Sequence, residues 1–456
     1  MLGEFYQKNI LEKPRAVLLL LAFFLLIFGY FSKDFRLDAS SDTLLIDGDP
    51  DLQYLKEINK RYNSKEFLVL TFTPKESMIS ENSINNLLSL KYKIQSLDWV
   101  DSVITILDVP LLTSTDDTLT EKLKNFSTLK SDGINKEKGF NEILNSPVFK
   151  NFVISEDGNT TGIIAYLKKK PESVELSNEE LEIYKDKIKK ENHENIIEIR
   201  EVIKSYESIG KIHLGGIPMI ADDMMTFIKN DIIVFGAGVL LFIIFTLWYV
   251  FRKIIWIIIP ISSCFFSVLI MMGLLGLLGW KVTVISSNFI ALMLILTMAM
   301  NIHTSTRFLQ LRKENPGLSK LEIIKKTTNK MFWPILYTVL TTIFAFLSLV
   351  FSGIKPVIDF GWMMTLGLIT SFIITFTLLP TLLSFFPENK ITIKKEYKSK
   401  ITILFEKITL NNRSIIFFIT GLVIFLSIVG INKLEVENSF INYFKKNTEI
   451  YKGMKL

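Results

Sequence analysis

Seven apolar stretches alternate with polar segments along the chain, and each is close to the roughly 20 residues that a helix needs to cross a bilayer. One stretch lies near the N-terminus, five follow a long polar segment, and one lies near the C-terminus. The stretches cover residues 14–31, 230–251, 254–278, 283–306, 332–352, 361–386 and 414–431. This pattern predicts an α-helical polytopic membrane protein.

The same pattern predicts the domain organisation. Residues 30–34 do not form a small-residue cleavage site, so we expect the first stretch to be a retained helix and not a signal peptide. The predicted segments are the N-terminus with the first helix (1–31), a water-facing domain (32–229), a five-helix block (230–386), a basic loop (387–413), a seventh helix (414–431) and the truncated start of a second water-facing domain (432–456).

Basic residues predict the orientation of these helices. The connections on one side of the bilayer are basic, whereas those on the other side, 279–282 and 353–360, carry one cation each. Lys and Arg concentrate in cytoplasmic connections, so the basic side and the N-terminus are predicted to be cytoplasmic and the large domain to be periplasmic or extracellular. The 307–331 connection reads as a stop-transfer cluster or as an interfacial helix on anionic lipid. The basic connections are 252–253, 307–331 and 387–413.

Composition excludes several classes of function. The net charge of +6 comes from Lys and Arg beside apolar helices, not from a basic groove with interleaved aromatic residues, so we predict no nucleic-acid partner. The single cysteine, Cys264, excludes an intramolecular disulfide and a cysteine metal cluster. His193 and His213 lack metal-ligand spacing, and we read them as ordinary surface or edge residues. Without a phosphate-binding glycine loop or a nucleophile elbow, we predict no enzyme activity, cofactor or metal.

The polar domain has the pattern of alternating strands and helices. Their order is β-α-β followed by β-α-β, which predicts the ferredoxin-like split arrangement in an α+β domain. The region 110–158 between the two halves has no clear assignment. The strands are predicted at 66–73, 100–109, 159–168 and 211–215, and the helices at 82–98 and 178–207.

The end of the chain resembles its beginning. Residues 434–440 align with residues 35–41, and each is a short acidic, Ser-containing extended segment that follows an apolar helix. Internal duplication is common in transporters. We therefore expect one repeat plus the start of another, either as a truncated product or as a short protein that assembles with a separate second half.

Five local segments stand in a fixed order along the chain: Ser40–Leu45 with Asp49 and Pro50, Gly215–Pro218 with Asp222, Asp223 and Asp231, Gly273–Gly279 with Lys281 and Thr283, Ile302–Phe308, and Lys355–Pro356 with Asp359–Gly361. Together they resemble the resistance-nodulation-division superfamily, in particular the hydrophobe/amphiphile exporter branch related to the mycobacterial membrane protein large (MMPL) family. The resemblance implies an inner-membrane exporter that uses an ion gradient to move hydrophobic or amphiphilic, lipid-like substrates. It also implies two repeats with twelve helices, so that this chain supplies half of the bundle. The implied partners are membrane lipids, a small hydrophobic substrate, and a second repeat or another copy of the chain.

The resemblance implies a proton-carrying acid midway along the fourth helix, at about Ala299, but residues 283–306 contain neither Asp nor Glu. Histidine is the side chain whose ordinary pKa lies near neutral pH, so His303 is one candidate for carrying or gating the proton. Asn301 and Thr297 are four residues apart on one helix face and are candidates for orienting water. In the fifth helix Thr338, Thr341 and Thr342 are predicted to face them. Alternatively, His303 only caps the cytoplasmic end of the helix, or a carboxylate in the second half performs the coupling.

Four acidic residues near helix ends at the outer surface are candidates for coupling the domain to the helices. A different class of function stays open, namely a non-transporting membrane scaffold or sensor, which the missing carboxylate favours. The four acidic residues are Asp222, Asp223, Asp231 and Asp359.

Overall fold

The computed structural model describes residues 6–38, 50–62, 64–114, 126–131, 133–169, 177–387, 400–435, 442, 445–446 and 448–454. Residues 40–45 and 49, residues 436–440 of the aligned segment, and 388–399 of the basic loop lie outside the described residues. The chain divides into two compact units. Met1–Asp38 with Ile228–Asn438 is the helical unit, and Ala39–Phe227 with Ser439–Leu456 is the sheet unit.

Seven helices among the described residues are long and apolar enough to cross a membrane, as the hydropathy pattern predicts. The chain is thus a polytopic α-helical membrane protein. The first turns of the second such helix belong to the sheet unit. The helices are α1 Pro14–Phe31, α6 Ile217–Phe251, α7 Ile255–Leu278, α8 Phe289–Glu314, α9 Lys320–Leu347, α10 Lys355–Phe385 and α12 Arg413–Ile431.

Several of these helices extend beyond their apolar stretch. α8 continues to Glu314, and α9 begins at Lys320, where the sequence had placed a basic connection. The early start of α9 has a local cause, because the Ser319 hydroxyl and the Glu322 carboxylate form a capping box. Most of the 307–331 connection is therefore helical, and the apolar boundary alone places the helix start too late.

The centre of the helical unit is formed by α7, α8 and α10, which all pack against one another. α1 crosses α7 where the glycines Gly273 and Gly276 allow the two backbones to approach closely. A Cβ atom at Gly273 would lie 2.0 Å from the Phe28 carbonyl oxygen, and one at Gly276 would lie 2.1 Å from that of Phe31. Small residues of this kind permit close helix contacts in membranes.

A short pair of strands and one hydrogen bond to a helix carbonyl also belong to the helical unit. The strand β1, Arg36–Leu37, pairs in parallel with β6, Lys281–Val282. In α10, Pro380 lacks the N–H that would bond to the Phe376 carbonyl oxygen. The Tyr6 hydroxyl donates a hydrogen bond to that oxygen and so satisfies it.

The sheet unit contains four strands, each antiparallel to its neighbours, in the spatial order β3-β4-β2-β5. Along the chain the order is β-α-β and then β-α-β, with one helix inside each half. The helix α4, Lys136–Leu144, lies in the region 110–158, for which the sequence pattern predicts no clear element. The other elements are α2 Pro50–Tyr62, β2 Phe67–Pro74, α3 Glu81–Gln95, β3 Val100–Ile104, β4 Thr161–Leu167, α5 Asn178–Ser205 and β5 Gly210–Gly215.

One face of the sheet carries the core of this unit. The alternating residues Leu68, Leu70 and Phe72 of β2 are fully buried, as the period of two in a strand requires. Their neighbours in the core include buried apolar residues of α3 and α5, such as Leu90 and Ile199. The helix α3 packs against β3, β4 and α5.

The extended segment predicted at 434–440 lies mostly outside the described residues. Within the described residues 448–454 the chain forms the short helix α13, Glu449–Met454. This helix packs against β5 and buries Ile450 and Tyr451. One further helix, α11, Lys400–Asn411, precedes α12, and every side chain whose burial is described in these two helices is exposed.

Candidate functional site

Buried polar side chains meet in the middle of α7, α8 and α10. Each helix contributes a pair spaced by four residues, which places both members on one helix face. All six side chains are at most 1% exposed. Two apolar clusters, one around Trp256 and one around Met364, occupy the same three helices on either side. The hydroxyl–amide cluster, as we call it, consists of Ser263, Ser267, Thr297, Asn301, Ser371 and Thr375.

Asn301 lies at the centre of the hydroxyl–amide cluster. Its Nδ2, which carries two hydrogens, lies 2.7 Å from the Thr297 carbonyl oxygen, 3.1 Å from the Ser263 hydroxyl and 3.3 Å from the Thr375 hydroxyl, so one hydrogen is shared between two of these acceptors. The Thr297 hydroxyl donates to the Ser371 hydroxyl at 2.7 Å. The three helices are therefore joined by a continuous polar network.

The orientation of the Asn301 amide follows from these contacts. A carbonyl oxygen can accept a hydrogen bond but cannot donate one, so the amide atom 2.7 Å from the Thr297 carbonyl oxygen must be the nitrogen. Turning the amide over would place two oxygen atoms against each other. The amide oxygen, Oδ1, is thereby directed away from this carbonyl.

Three buried oxygen atoms in this region have no protein partner within the described residues. They are Asn301 Oδ1, Ser267 Oγ and Ser305 Oγ, the last one turn along α8 from Asn301. An unsatisfied buried polar group costs about 1–3 kcal/mol, and such groups require an explanation by ligand, water or function. Asn301 Oδ1 belongs to the central residue of the hydrogen-bonded network, which marks the cluster as the candidate site.

His303 lies on another face of α8. It is exposed, as are Ile295 and Ala299, which precede it at intervals of four residues. Asn301 and Thr297 are fully buried. The structure thus keeps Asn301 and Thr297 together, as their spacing predicts, and separates them from His303 and from the position where the resemblance implies an acid.

The three threonines of α9 do not join this network. Thr338 and Thr341 are exposed and Thr342 is half-buried. Their hydroxyls donate to carbonyl oxygens of their own helix, those of Pro334 and Thr338. The expectation that they face Asn301 and Thr297 is wrong, because Ser263, Ser371 and Thr375 occupy that place.

Sequence reasoning missed these three partners. Their signal was a pair of small polar residues at a spacing of four in each of two membrane-crossing helices, at 263 and 267 and at 371 and 375. The spacing identifies a face on each helix. Which faces meet is decided by the packing of the helices.

Two domain-coupling candidates lie inside the sheet unit, where each has a polar partner on α5. The Asp222 carboxylate lies 2.9 Å from Nδ1 of His193, and the Asp223 carboxylate accepts two hydrogen bonds of 2.9 Å from Arg200, with which it forms an ion pair. Arg200 also donates to Glu449 of α13 at 3.2 Å. His193 is exposed, as the sequence predicts, and its hydrogen bond links α5 to the start of α6.

The remaining two candidates, Asp231 and Asp359, are half-buried residues of the helical unit near the starts of membrane-crossing stretches. Their coupling role stays a prediction. Among the described residues, no group of three His, Cys, Asp or Glu side chains is placed to hold a metal ion.

Comparison with known proteins gives one positive result. No curated protein matches the chain. The MMPL family matches residues 109–409 of the 456-residue chain. This region holds the strands β4 and β5 of the sheet unit and the membrane-crossing helices from α6 to α10. With its seven apolar helices, the chain belongs to the MMPL family.

Proposed function

We propose that the chain is part of an exporter that uses an ion gradient to move hydrophobic or amphiphilic, lipid-like substrates. Membership of the MMPL family supports transport of lipid-like molecules by a protein of the resistance-nodulation-division type. The seven apolar helices support a multi-pass location in the inner membrane. Transport, and not enzyme catalysis, is the proposed activity, and membrane lipid and a second repeat or second copy are the proposed partners.

The hydroxyl–amide cluster is the observation that carries this proposal. Polar groups in the membrane interior are costly and mark ion or substrate pathways. Six such side chains meet between apolar clusters, and Asn301 Oδ1 and Ser267 Oγ keep unused hydrogen-bonding capacity. A structural role alone would favour a network in which all polar atoms are satisfied.

The sheet unit is proposed to be a ferredoxin-like domain outside the cytoplasm that provides part of the substrate path. The split β-α-β order and the antiparallel sheet β3-β4-β2-β5 support this assignment. A cavity of about 270 Å³ on this unit is lined mainly by apolar residues, including Val69, Ile217, Met219 and Ile450. Such a surface suits a hydrophobic chain.

Export of a lipophilic fluorescent dye from cells tests the proposal. Cells that express the protein should accumulate less dye than cells without the gene. Collapse of the membrane ion gradients should remove this difference in dye accumulation. Asn301→Leu removes the amide hydrogen bonds that join α8 to α7 and α10, so it should lower the export rate about tenfold or more. A tenfold decrease corresponds to a free-energy change of about 1.4 kcal/mol. Equal accumulation with and without the protein would contradict the exporter.

His303 is tested separately, because the structure places it apart from Asn301. If it carries the proton, His303→Gln should abolish the dependence of export on pH between about 6 and 8, the range in which histidine titrates. An unchanged pH dependence would remove His303 from the mechanism. The second candidate function, a scaffold or sensor, is favoured by the lack of Asp and Glu in residues 289–313, and it predicts no export at all.

A further inference from the structure

A cavity of about 440 Å³ lies in the helical unit where α1 and α9 begin and α10 ends. These helix ends are also the ends of membrane-crossing stretches, since Pro14 and Lys320 begin two of them and Phe385 ends a third. All three residues line the cavity. The cavity therefore lies at the level where the headgroups of a bilayer meet the hydrocarbon.

One part of the lining is cationic. Lys320 Nζ donates hydrogen bonds to the carbonyl oxygens of Ser384 at 2.6 Å and Phe386 at 3.0 Å, which fixes the ammonium group at the C-terminal end of α10. An ammonium group donates three hydrogen bonds, so one hydrogen remains for a further acceptor. Arg15 also lines the cavity, and among the described residues its guanidinium has no hydrogen bond or ion pair.

The acidic residue of the lining leaves these charges uncompensated. Glu12 forms an ion pair with Lys325, whose Nζ lies 3.2 Å from the carboxylate. Within the described part of the chain, Arg15 and Lys320 therefore keep two positive charges without a carboxylate partner. The charge of the cavity favours an anionic ligand.

The rest of the lining is largely apolar. Leu11 and Ile324 are buried, whereas Leu321 and Phe385 are 39% and 47% exposed. A small inorganic anion would contact the cations and leave this apolar surface uncovered. A molecule with an anionic group next to a hydrocarbon chain would cover both parts and gain the free energy of apolar burial.

We infer that this cavity binds one anionic phospholipid, with Arg15 as the ligand of its phosphate, Lys320 as the second cation, and Leu321 and Phe385 against the start of an acyl chain. Guanidinium groups bind phosphate oxygens in a bidentate manner, and basic pockets between membrane-crossing helices hold anionic headgroups. The bound lipid would link α1 to α9 and α10. The inference does not depend on the proposed export, because the cavity lies at the helix ends and the hydroxyl–amide cluster lies in the middle of the helices.

Native mass spectrometry of the purified full-length chain in detergent tests this site without a transport measurement. Phosphatidylglycerol and phosphatidylcholine are titrated separately, and the half-saturating concentration of the first bound lipid is compared. We expect a value about tenfold or more lower for phosphatidylglycerol, because each cation near a headgroup favours the anionic lipid. Equal values for the two lipids would overturn the inference.

Soluble glycerol phosphate separates a phospholipid from a free phosphate. It carries the anionic group without the acyl chains, so we expect an excess over phosphatidylglycerol to leave the bound lipid in place. Displacement of the lipid at comparable concentrations would identify a site for a free phosphate and would also contradict the inference.

A variant pair localises the binding. Arg15→Gln should raise the half-saturating concentration of phosphatidylglycerol about fivefold, the equivalent of about 1 kcal/mol, and leave that of phosphatidylcholine unchanged. Because Arg15 is exposed and has no partner among the described residues, we expect the variant to fold, which circular dichroism checks.

Lys13→Gln is the matched control. Lys13 is exposed, removes the same charge two positions earlier and does not line the cavity. Its replacement should change the half-saturating concentration of phosphatidylglycerol by less than about twofold. Equal weakening by Lys13→Gln and Arg15→Gln would show a diffuse attraction of lipid to basic residues and would refute the site.

Discussion

Glu142 shows how a single carboxylate holds a loop of the sheet unit. It accepts hydrogen bonds from the backbone N–H groups of Leu112 and Thr113 at 2.6 and 2.9 Å and from the Ser114 hydroxyl at 2.6 Å. Partial burial acts to raise the pKa of Glu142, but these hydrogen bonds to the ionised form outweigh it and lower the pKa to about 2. The chain at 112–114 is thereby fixed to α4.

This depressed pKa predicts how protection of the loop depends on pH. A carboxyl group of pKa near 4.3 in the unfolded chain and about 2 in the folded chain stabilises the fold above about pH 4.3, and the contribution is lost as the pH falls towards about 2. We expect Glu142→Gln to expose the amides of 112–114 to hydrogen exchange at about pH 7, with the difference from the natural protein shrinking below about pH 4. Exchange by mass spectrometry, corrected for the intrinsic rate, measures this.

The control for this prediction lies on the same helix. Glu137 is exposed in the first turn of α4, and Glu137→Gln should leave the protection of 112–114 unchanged at every pH. Equal protection in Glu142→Gln and the natural protein at neutral pH would show that the carboxylate does not hold the loop.

Helix periodicity explains which part of the candidate site was predictable. Residues four apart return to one face of a helix, so Thr297 and Asn301 are together as expected. His303 follows Asn301 by two residues, which corresponds to a rotation of about 200° around the helix axis. Helix geometry alone therefore places the two side chains on different faces of α8. His303 was a candidate because it titrates. The partners on α7 and α10 depend on which helix faces meet, and no single helix contains that information.

At the scale of elements, the contact between α1 and α7 depends on two glycines. Gly273→Ala would place a Cβ atom 2.0 Å from the Phe28 carbonyl oxygen, a backbone atom that cannot move away by changing a rotamer. The two helices must separate, and overpacking of this kind costs about 1–3 kcal/mol. We expect a lower thermal unfolding midpoint for Gly273→Ala, measured by circular dichroism of the full chain in detergent.

Gly236 provides the comparison. It lies inside α6 with no atom within 4 Å of an added Cβ, and alanine is favoured over glycine in a helix by about 0.8–1.0 kcal/mol. Gly236→Ala should therefore leave the midpoint unchanged or raise it. If Gly273→Ala behaved like Gly236→Ala, the close crossing of α1 and α7 would be wrong.

Helix number was predictable and helix ends were not, for a physical reason. Hydropathy detects the part of a helix that suits lipid, but hydrogen bonding continues until the chain meets a cap or a breaker. α9 starts at the capping box of Ser319 and Glu322, within a basic segment. α6 starts at Ile217, and its Asp222 and Asp223 are accommodated by His193 and Arg200. Capping motifs in the sequence carried the first signal, and the second required the tertiary contacts.

At the scale of the whole molecule, the docking of α13 on β5 is what the sequence left open. Glu449 accepts hydrogen bonds from Arg200 and from the Leu214 backbone N–H. These residues are far apart in the chain, and the alignment of 434–440 with 35–41 predicts a repeated segment but not its place of contact. A six-residue helix has little stability alone, so the contact with β5 decides its structure.

The orientation across the membrane is the prediction on which the whole arrangement depends. Basic connections are predicted to stay in the cytoplasm, which places residue 187 outside and residue 317 inside. Lys187 is 72% exposed on α5, and Gly317 lies between α8 and α9 with free space around an added Cβ. The natural Cys264 is buried among apolar side chains, so it should not react with a polar maleimide.

In intact spheroplasts we therefore expect a membrane-impermeant maleimide to label Lys187→Cys and to leave Gly317→Cys unlabelled until the membrane is opened with detergent. Both positions should react after opening, which controls for poor exposure of either thiol. The reverse pattern would place the basic connections outside. It would also place the sheet unit in the cytoplasm, where it has no access to a substrate that has crossed the bilayer, and export in the proposed direction would then be excluded.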